Sequence, residues 1–238
     1  MNINLDDELK LLKGSSFFID EIEIKPFTIG EIVDIGYQKY QEFLNIFILD
    51  VEDILKEIPE GFEDIKVFDI LLNSGSEDLL EILLKSIDFF LCPQKIDIKR
   101  ELNIILINDK IINRNNWDEI CKIIQLQNCV KKELKEEYNP ANEEARKIIE
   151  KIKENKKNAP KPKELITLSS MISGLGWKAN NINIFDVWDL TVYQLYDGLN
   201  RLKIIDDYQF TLSGIYAGTI DSGKINLKDI NWMKINES

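Results

Sequence analysis

Residues 131–164 read KKELKEEYNPANEEARKIIEKIKENKKNAPKPKE, and 19 of these 34 side chains are charged. Such a segment cannot contribute much to a core, so it divides the chain into two unlike halves. Asn139-Pro140 predicts a helix start, with Asn as cap and Pro at the first position. Glu143 and Glu144 in the first turn and Lys156 and Lys157 in the last suit the helix dipole. Glu143–Lys147 and Arg146–Glu150 are i,i+4 pairs. The apolar stripe is narrow, consisting of Ala141, Ala145, Ile148 and Ile152. It has the width of a coiled-coil seam, so the helix reads either as a connector or as a docking surface for a partner helix. Lys-Asn-Ala-Pro-Lys-Pro-Lys, 157–163, predicts an extended linker.

Outward from that segment, 1–130 is predicted as an acidic, mainly helical domain with short β-hairpins, and 165–238 as a small helical domain. The chain carries −12 overall. Residues 1–130 hold 13 basic and 26 acidic groups, residues 131–164 hold 11 and 8, and residues 165–238 hold 6 and 8. The acidic first half repels phosphate backbones, which argues against nucleic-acid binding. Its charge reads as a solubilising surface or as a face matched to a basic partner. The first twelve residues include Asp6, Asp7 and Glu8, the wrong sign for a secretion signal. No apolar run approaches the roughly 18 residues of a membrane span. The expectation is a protein that works where it is made.

In the first half, Phe17-Phe-Ile19 and Ile22-Glu-Ile24 flank Asp20-Glu21 and predict a hairpin that Pro26 stops. Thr28 and Glu31 form a capping box, with Phe27 and Ile32 at the staple positions. Ile29, Ile32, Val33, Tyr37, Tyr40, Phe43, Leu44, Phe47 and Ile48 then predict one helix of about five turns. Further helices are expected at 51–57, before Pro59-Glu-Gly61, and at 62–72. Another, with Ser76 as cap, is apolar nearly all round over 79–91, which places it at the centre of the core. Ile96, Ile98, Ile104–Ile107 and Ile111-Ile112, around Asn108-Asp109, predict a small sheet near 95–113. Trp117, Ile120, Cys121 and Ile124 mark a closing helix.

In the second half, 165–175 is expected to be helical, with Gly174 and Gly176 at its C-terminal end. Asn180–Asn183 reads as a polar turn. Asp186 is expected to cap or enter an apolar helix bearing Trp188, Val192, Leu195, Tyr196, Leu199 and Leu202, and Tyr208–Ala217 is expected to form a last, separate helix. Phe185, Trp188, Tyr193 and Tyr196 form an aromatic cluster that reads as core more readily than as a groove. Tyr193 falls off the stripe and is the surface candidate. The fold class is therefore mainly α with a minor β component.

The sequence argues against catalysis. There is no histidine, which removes the commonest general base and most zinc and iron sites. Cys92, Cys121 and Cys129 are odd in number and widely spaced, as for reduced thiols. Acidic neighbours such as Glu52-Asp53 and Asp206-Asp207 do not share a helix face. Gly174-Leu-Gly176 lacks the rest of a phosphate loop. No cofactor or metal is expected.

Three stretches carry a family resemblance. They are the hairpin leading into Ile24-Lys-Pro-Phe-Thr-Ile-Gly-Glu31, Asn139-Pro-Ala-Asn142 before its Lys/Glu-rich helix, and Phe185-Asp-Val-Trp-Asp-Leu-Thr-Val-Tyr-Gln-Leu-Tyr-Asp197 with a late Asn231-Trp-Met233. In these the chain resembles proteins from the tail modules of long-tailed phages and prophages of Gram-positive bacteria, regarded as tail assembly chaperones. The resemblance implies a non-catalytic protein in the bacterial host's cytoplasm that binds the long helical tape-measure protein during tail assembly. The alternative is a structural virion component at the head–tail junction, in the tail or in the capsid. The 95–113 region departs from the family pattern. On either reading the partner is protein, not nucleic acid or membrane, and the candidate contact residues are Ala141, Ala145, Ile148, Ile152 and Tyr193.

Overall fold

A computed structural model describes residues 4–55, 64–130, 166–179, 182–221, 223 and 225–234. The fold is mainly helical, with two small antiparallel sheets, as the sequence predicts. The helix expected over 140–157 and the linker 157–163 lie outside the described residues.

The chain starts with α1 (Leu5–Lys13), capped by Asn4, whose side chain accepts from the Asp7 amide, and closed by left-handed Gly14. β1 (Phe17–Ile19) and β2 (Ile22–Ile24) pair in the register Phe17↔Ile24, Phe18↔Glu23 and Ile19↔Ile22. Phe17, Ile22 and Ile24 face inward, while Phe18 and Glu23 face solvent, so the period of two fixes which side is core. Both turn residues have positive φ, 46° at Asp20 and 65° at Glu21. This is the twist-matched hairpin turn that favours Asn-Gly. Asn116 Nδ2 donates to the Asp20 carboxylate at 2.9 Å, whereas Glu21 accepts through its carbonyl, from Lys110. Glu21→Gly is expected to stabilise by about 0.5–1 kcal/mol. Thermal unfolding should then shift up by roughly 1–4 °C; a fall would contradict the turn assignment.

The Thr28 capping box forms. The Glu31 amide donates to Thr28 Oγ1 at 3.2 Å, and the Thr28 amide donates to Glu31 Oε2 at 2.8 Å. Burial alone would raise the Glu31 pKa, but the Thr28 amide and the Lys25 ammonium more than offset it and hold the carboxyl below its usual range. Because this pKa is depressed in the folded state, the contribution is present at neutral pH and is lost as pH falls through the carboxylate range.

The single helix expected over 29–48 is two. α2 (Ile29–Ile35) and α3 (Tyr37–Ile46) meet at Gly36, which has φ 99° and ψ 121°. That backbone geometry suits glycine and breaks the helical run. Val33 and Tyr37, expected on the buried face, are consequently exposed beside the break.

α4 (Val51–Ile54) follows, and α5 (Val67–Asn73) begins later than the sequence suggests; Pro59-Glu-Gly61 and Phe62 lie outside the described residues. α6 (Glu77–Leu91) is capped by Ser76 as expected. It buries Leu83, Ile87 and Phe90 but exposes Glu81, Lys85 and Asp88. It is therefore amphipathic rather than apolar all round. β3 (Ile96–Lys99), β4 (Ile104–Ile107) and β5 (Lys110–Ile112) form an antiparallel meander in that order. α7 (Trp117–Gln127) closes the half through Trp117, Ile120 and Ile124.

The core of this half is aromatic. Phe27 stacks on Phe89 with centroids 4.5 Å apart, and Trp117 stacks on Phe47 at 5.4 Å. Gln127 Nε2 donates to the Ile24 carbonyl at 3.1 Å, and Gln125 donates to the Phe47 carbonyl. Among the described residues no buried side-chain nitrogen or oxygen lacks a partner, as a stable interior requires.

The C-terminal half differs from the sequence reading in three ways. α8 spans Leu168–Lys178, so Gly174 and Gly176 lie inside it rather than at its end. Asp186 does not cap the next helix. It enters a 3-10 turn, Val187–Asp189, and accepts from the Asn183 amide at 3.2 Å. The long helix is instead capped by Thr191 and Gln194. It runs unbroken as α9 (Val192–Tyr216), absorbing the separate helix expected from Tyr208. Lys203-Ile-Ile-Asp-Asp207 contains no glycine or proline to stop it. No described helix is long and apolar enough to cross a membrane.

Candidate functional site

The C-terminal unit is built around a residue from the other half. Its buried cluster comprises Ile172, Leu175, Val187, Leu195 and Ile29, and Ile29 is 0% exposed. α2 begins at this point. The Ile29 amide donates to the Leu190 carbonyl at 2.8 Å, and Thr28 and Thr191 form an antiparallel bridge. The N-caps of α2 and α9 therefore sit back to back. Gly30 fits beneath Trp188, because a Cβ there would stand 3.1 Å from the Trp188 carbonyl oxygen. Gln194 Nε2 reaches the Leu12 carbonyl at 2.8 Å, tying α9 to α1.

That cluster is entirely aliphatic. The unit has nine aromatic residues, Trp177, Phe185, Trp188, Tyr193, Tyr196, Tyr208, Phe210, Tyr216 and Trp232, and none is buried. Trp177 is 78% exposed, Phe185 82%, Phe210 73% and Tyr216 85%. The N-terminal half does the opposite, burying Phe17, Tyr40, Phe43, Phe47, Phe68, Phe90 and Trp117. The sequence reading of Trp188 and Tyr196 as core is thus corrected: both remain more than a third exposed. Aliphatic Val187 and Leu195, one residue before each, take the interior positions.

Two features position the exposed rings. Lys178 pairs with Asp206, which brings the end of α8, with Trp177, alongside the turn of α9 that precedes Phe210. Arg201 donates to the carbonyls of Trp232 and Lys234 at 2.8 and 2.9 Å, holding the late aromatic segment against the same helix. At the seam, Trp188 lies over Gly30, and Tyr196 stands near Tyr37 and Cys129. Burial, more than these neighbours, raises the Tyr196 pKa.

Tyr193 is half-buried and packs against the N-terminal core beside α1. Burial first, then Glu8 and Asp197, raise its pKa. It belongs to the seam, with only part of its ring open to a partner. Ala141, Ala145, Ile148 and Ile152 lie outside the described residues. The sequence reading missed Trp177, Phe210 and Tyr216. Each lies among residues compatible with a core stripe, and exposure depends on packing that periodicity does not report.

Chemically the unit offers large aromatic side chains that a partner could bury. Large exposed aromatic side chains mark interaction sites, and Trp and Tyr dominate binding energy when a partner buries them. Among the described residues no group of three His, Cys, Asp or Glu side chains is arranged to hold a metal ion.

No curated protein and no solved structure gives a significant match to the chain. Residues 155–237, about a third of the chain, match the family model of the YomV second domain. YomV is a Bacillus phage or prophage protein, so the match supports a phage-derived protein, and it spans the unit whose aromatic side chains face outward.

Proposed function

We propose that this chain is a non-catalytic accessory of phage tail assembly, acting in the host cytoplasm, that binds a long helical partner of the tape-measure type. The observation that carries the proposal is the inversion in the C-terminal unit, with an aliphatic interior and aromatic exterior, inside the stretch that matches a phage domain family. A helical protein awaiting assembly presents apolar seams, and rigid aromatic rings bury such seams at low conformational cost. The acidic first half and the lack of histidine suit a soluble holder more than an enzyme or a nucleic-acid binder.

The test is co-expression of the full chain with the product of the long helix-rich reading frame near its own gene, then purification of complexes and of finished particles. The chain is expected to co-purify with that product and to be absent from particles. Stoichiometric presence in particles would favour a structural virion component instead, and failure to co-purify would remove the tape-measure assignment.

A further inference from the structure

The three-stranded sheet ends on an open edge. Among the described residues β3 pairs only with β4. The Asn108 amide donates to the Lys95 carbonyl at 2.9 Å, in line with the register Asp97↔Leu106 and Lys99↔Ile104. These odd-numbered residues make the hydrogen-bonded pairs, so the N–H and C=O groups of Ile96 and Ile98 point away from β4. No described residue bonds to them. Alongside runs an open groove of about 550 Å³, lined by Leu84, Lys85 and Asp88 of α6 and by Ile96, Asp97 and Ile98. The opposite edge is closed locally, because the outward carbonyl of Ile111 on β5 accepts from Asn116 Nδ2 at 2.8 Å.

The edge segment is Lys95-Ile-Asp-Ile-Lys99, which reads the same in both directions. Its charged residues are exposed and its isoleucines half-buried. Antiparallel pairing places a sequence against its own reverse, so a palindromic edge is complementary to itself. With Ile98 opposite Ile98 of a second copy, Asp97 faces Lys99 twice. With Ile96 opposite Ile96, Asp97 faces Lys95 twice. Among the registers that set isoleucine against isoleucine, only the one that places Asp97 against Asp97 is repulsive, because directly opposed like charges are unfavourable. We propose that β3 pairs antiparallel with β3 of a second copy, joining two sheets into one of six strands, with Leu84 covering the incoming strand. Short edges carrying like charge repel other strands; this edge alternates in sign and discriminates in favour of itself.

Sedimentation of the full chain over a concentration series is expected to show a monomer–dimer equilibrium. Hydrogen exchange at the Ile96 and Ile98 amides should slow in the dimer. Asp97→Lys makes the edge uniformly basic, and Lys95→Asp with Lys99→Asp makes it uniformly acidic. Each variant alone should dimerise roughly tenfold or more weakly, and mixing the two should restore a dimer that contains one of each. A wild-type chain that stays monomeric up to its solubility limit would overturn the proposal. So would a dimer whose affinity ignores both variants, or one whose Ile96 and Ile98 amides exchange as in the monomer.

Discussion

Ile29→Ala is expected to destabilise the C-terminal unit by about 2–5 kcal/mol, the range for truncating a fully buried isoleucine. The substitution keeps the amide that donates to the Leu190 carbonyl, so it isolates the side chain. Its methyl groups fill the space between Leu175, Val187 and Leu195, none of which can leave its helix or turn to close the gap. Trp177, Trp188 and Trp232 report on this unit, and Trp117 lies in the other core. Unfolding followed by hydrogen exchange should show amides of 168–178 and 192–202 losing protection well before those of α6 and α7. Equal loss in both halves would mean that they unfold as one unit. No loss would mean that the C-terminal cluster does not depend on α2.

Gly176→Ala is expected to destabilise by about 1–3 kcal/mol, even though glycine-to-alanine changes inside helices usually help. A Cβ at Gly176 would stand 2.9 Å from Ile184 Cα and 3.2 Å from its amide nitrogen. Backbone there must move, and with it the turn that carries Phe185 and Val187. Two residues earlier in the same helix, a Cβ at Gly174 would meet nothing within 4 Å. Gly174→Ala should therefore stabilise by up to about 1 kcal/mol. Opposite signs for the two alanines in parallel thermal melts would establish the close approach; the same sign for both would contradict it.

These two glycines show where the sequence stops being sufficient. A helix end and a packing contact both use glycine, and the choice at Gly176 is made by Ile184, which local pattern does not identify as a neighbour. The hairpin 17–24, the Thr28 box, the Ser76 cap, the 96–112 meander and α7 were legible because residues within a few positions determine each of them. The break at Gly36 was hidden because the apolar spacing runs across it without interruption. The continuity of α9 was hidden for the converse reason: its apolar stripe fades after Leu202 although the backbone has no cause to stop. The aromatic stretch 185–197 could be singled out from residue types alone. Which of its members face solvent could not, because Val187 and Leu195 compete for the same interior and Ile29 arrives from more than 150 residues away to complete it.

The outward aromatic surface is the proposed docking site for a helical protein. The direct measurement is the affinity of the purified full chain for helical segments of the proposed tape-measure partner, compared with a variant carrying Trp177→Ser and Phe210→Ser. Both side chains are more than 70% exposed, so the variant should unfold like the wild type. Loss of two aromatic anchors typically costs about 2–4 kcal/mol, which is at least roughly thirtyfold in affinity. Tight binding by the wild type and a loss of that size in an equally stable variant is the predicted result. Equal affinity of the two proteins, or no binding by either, would contradict it.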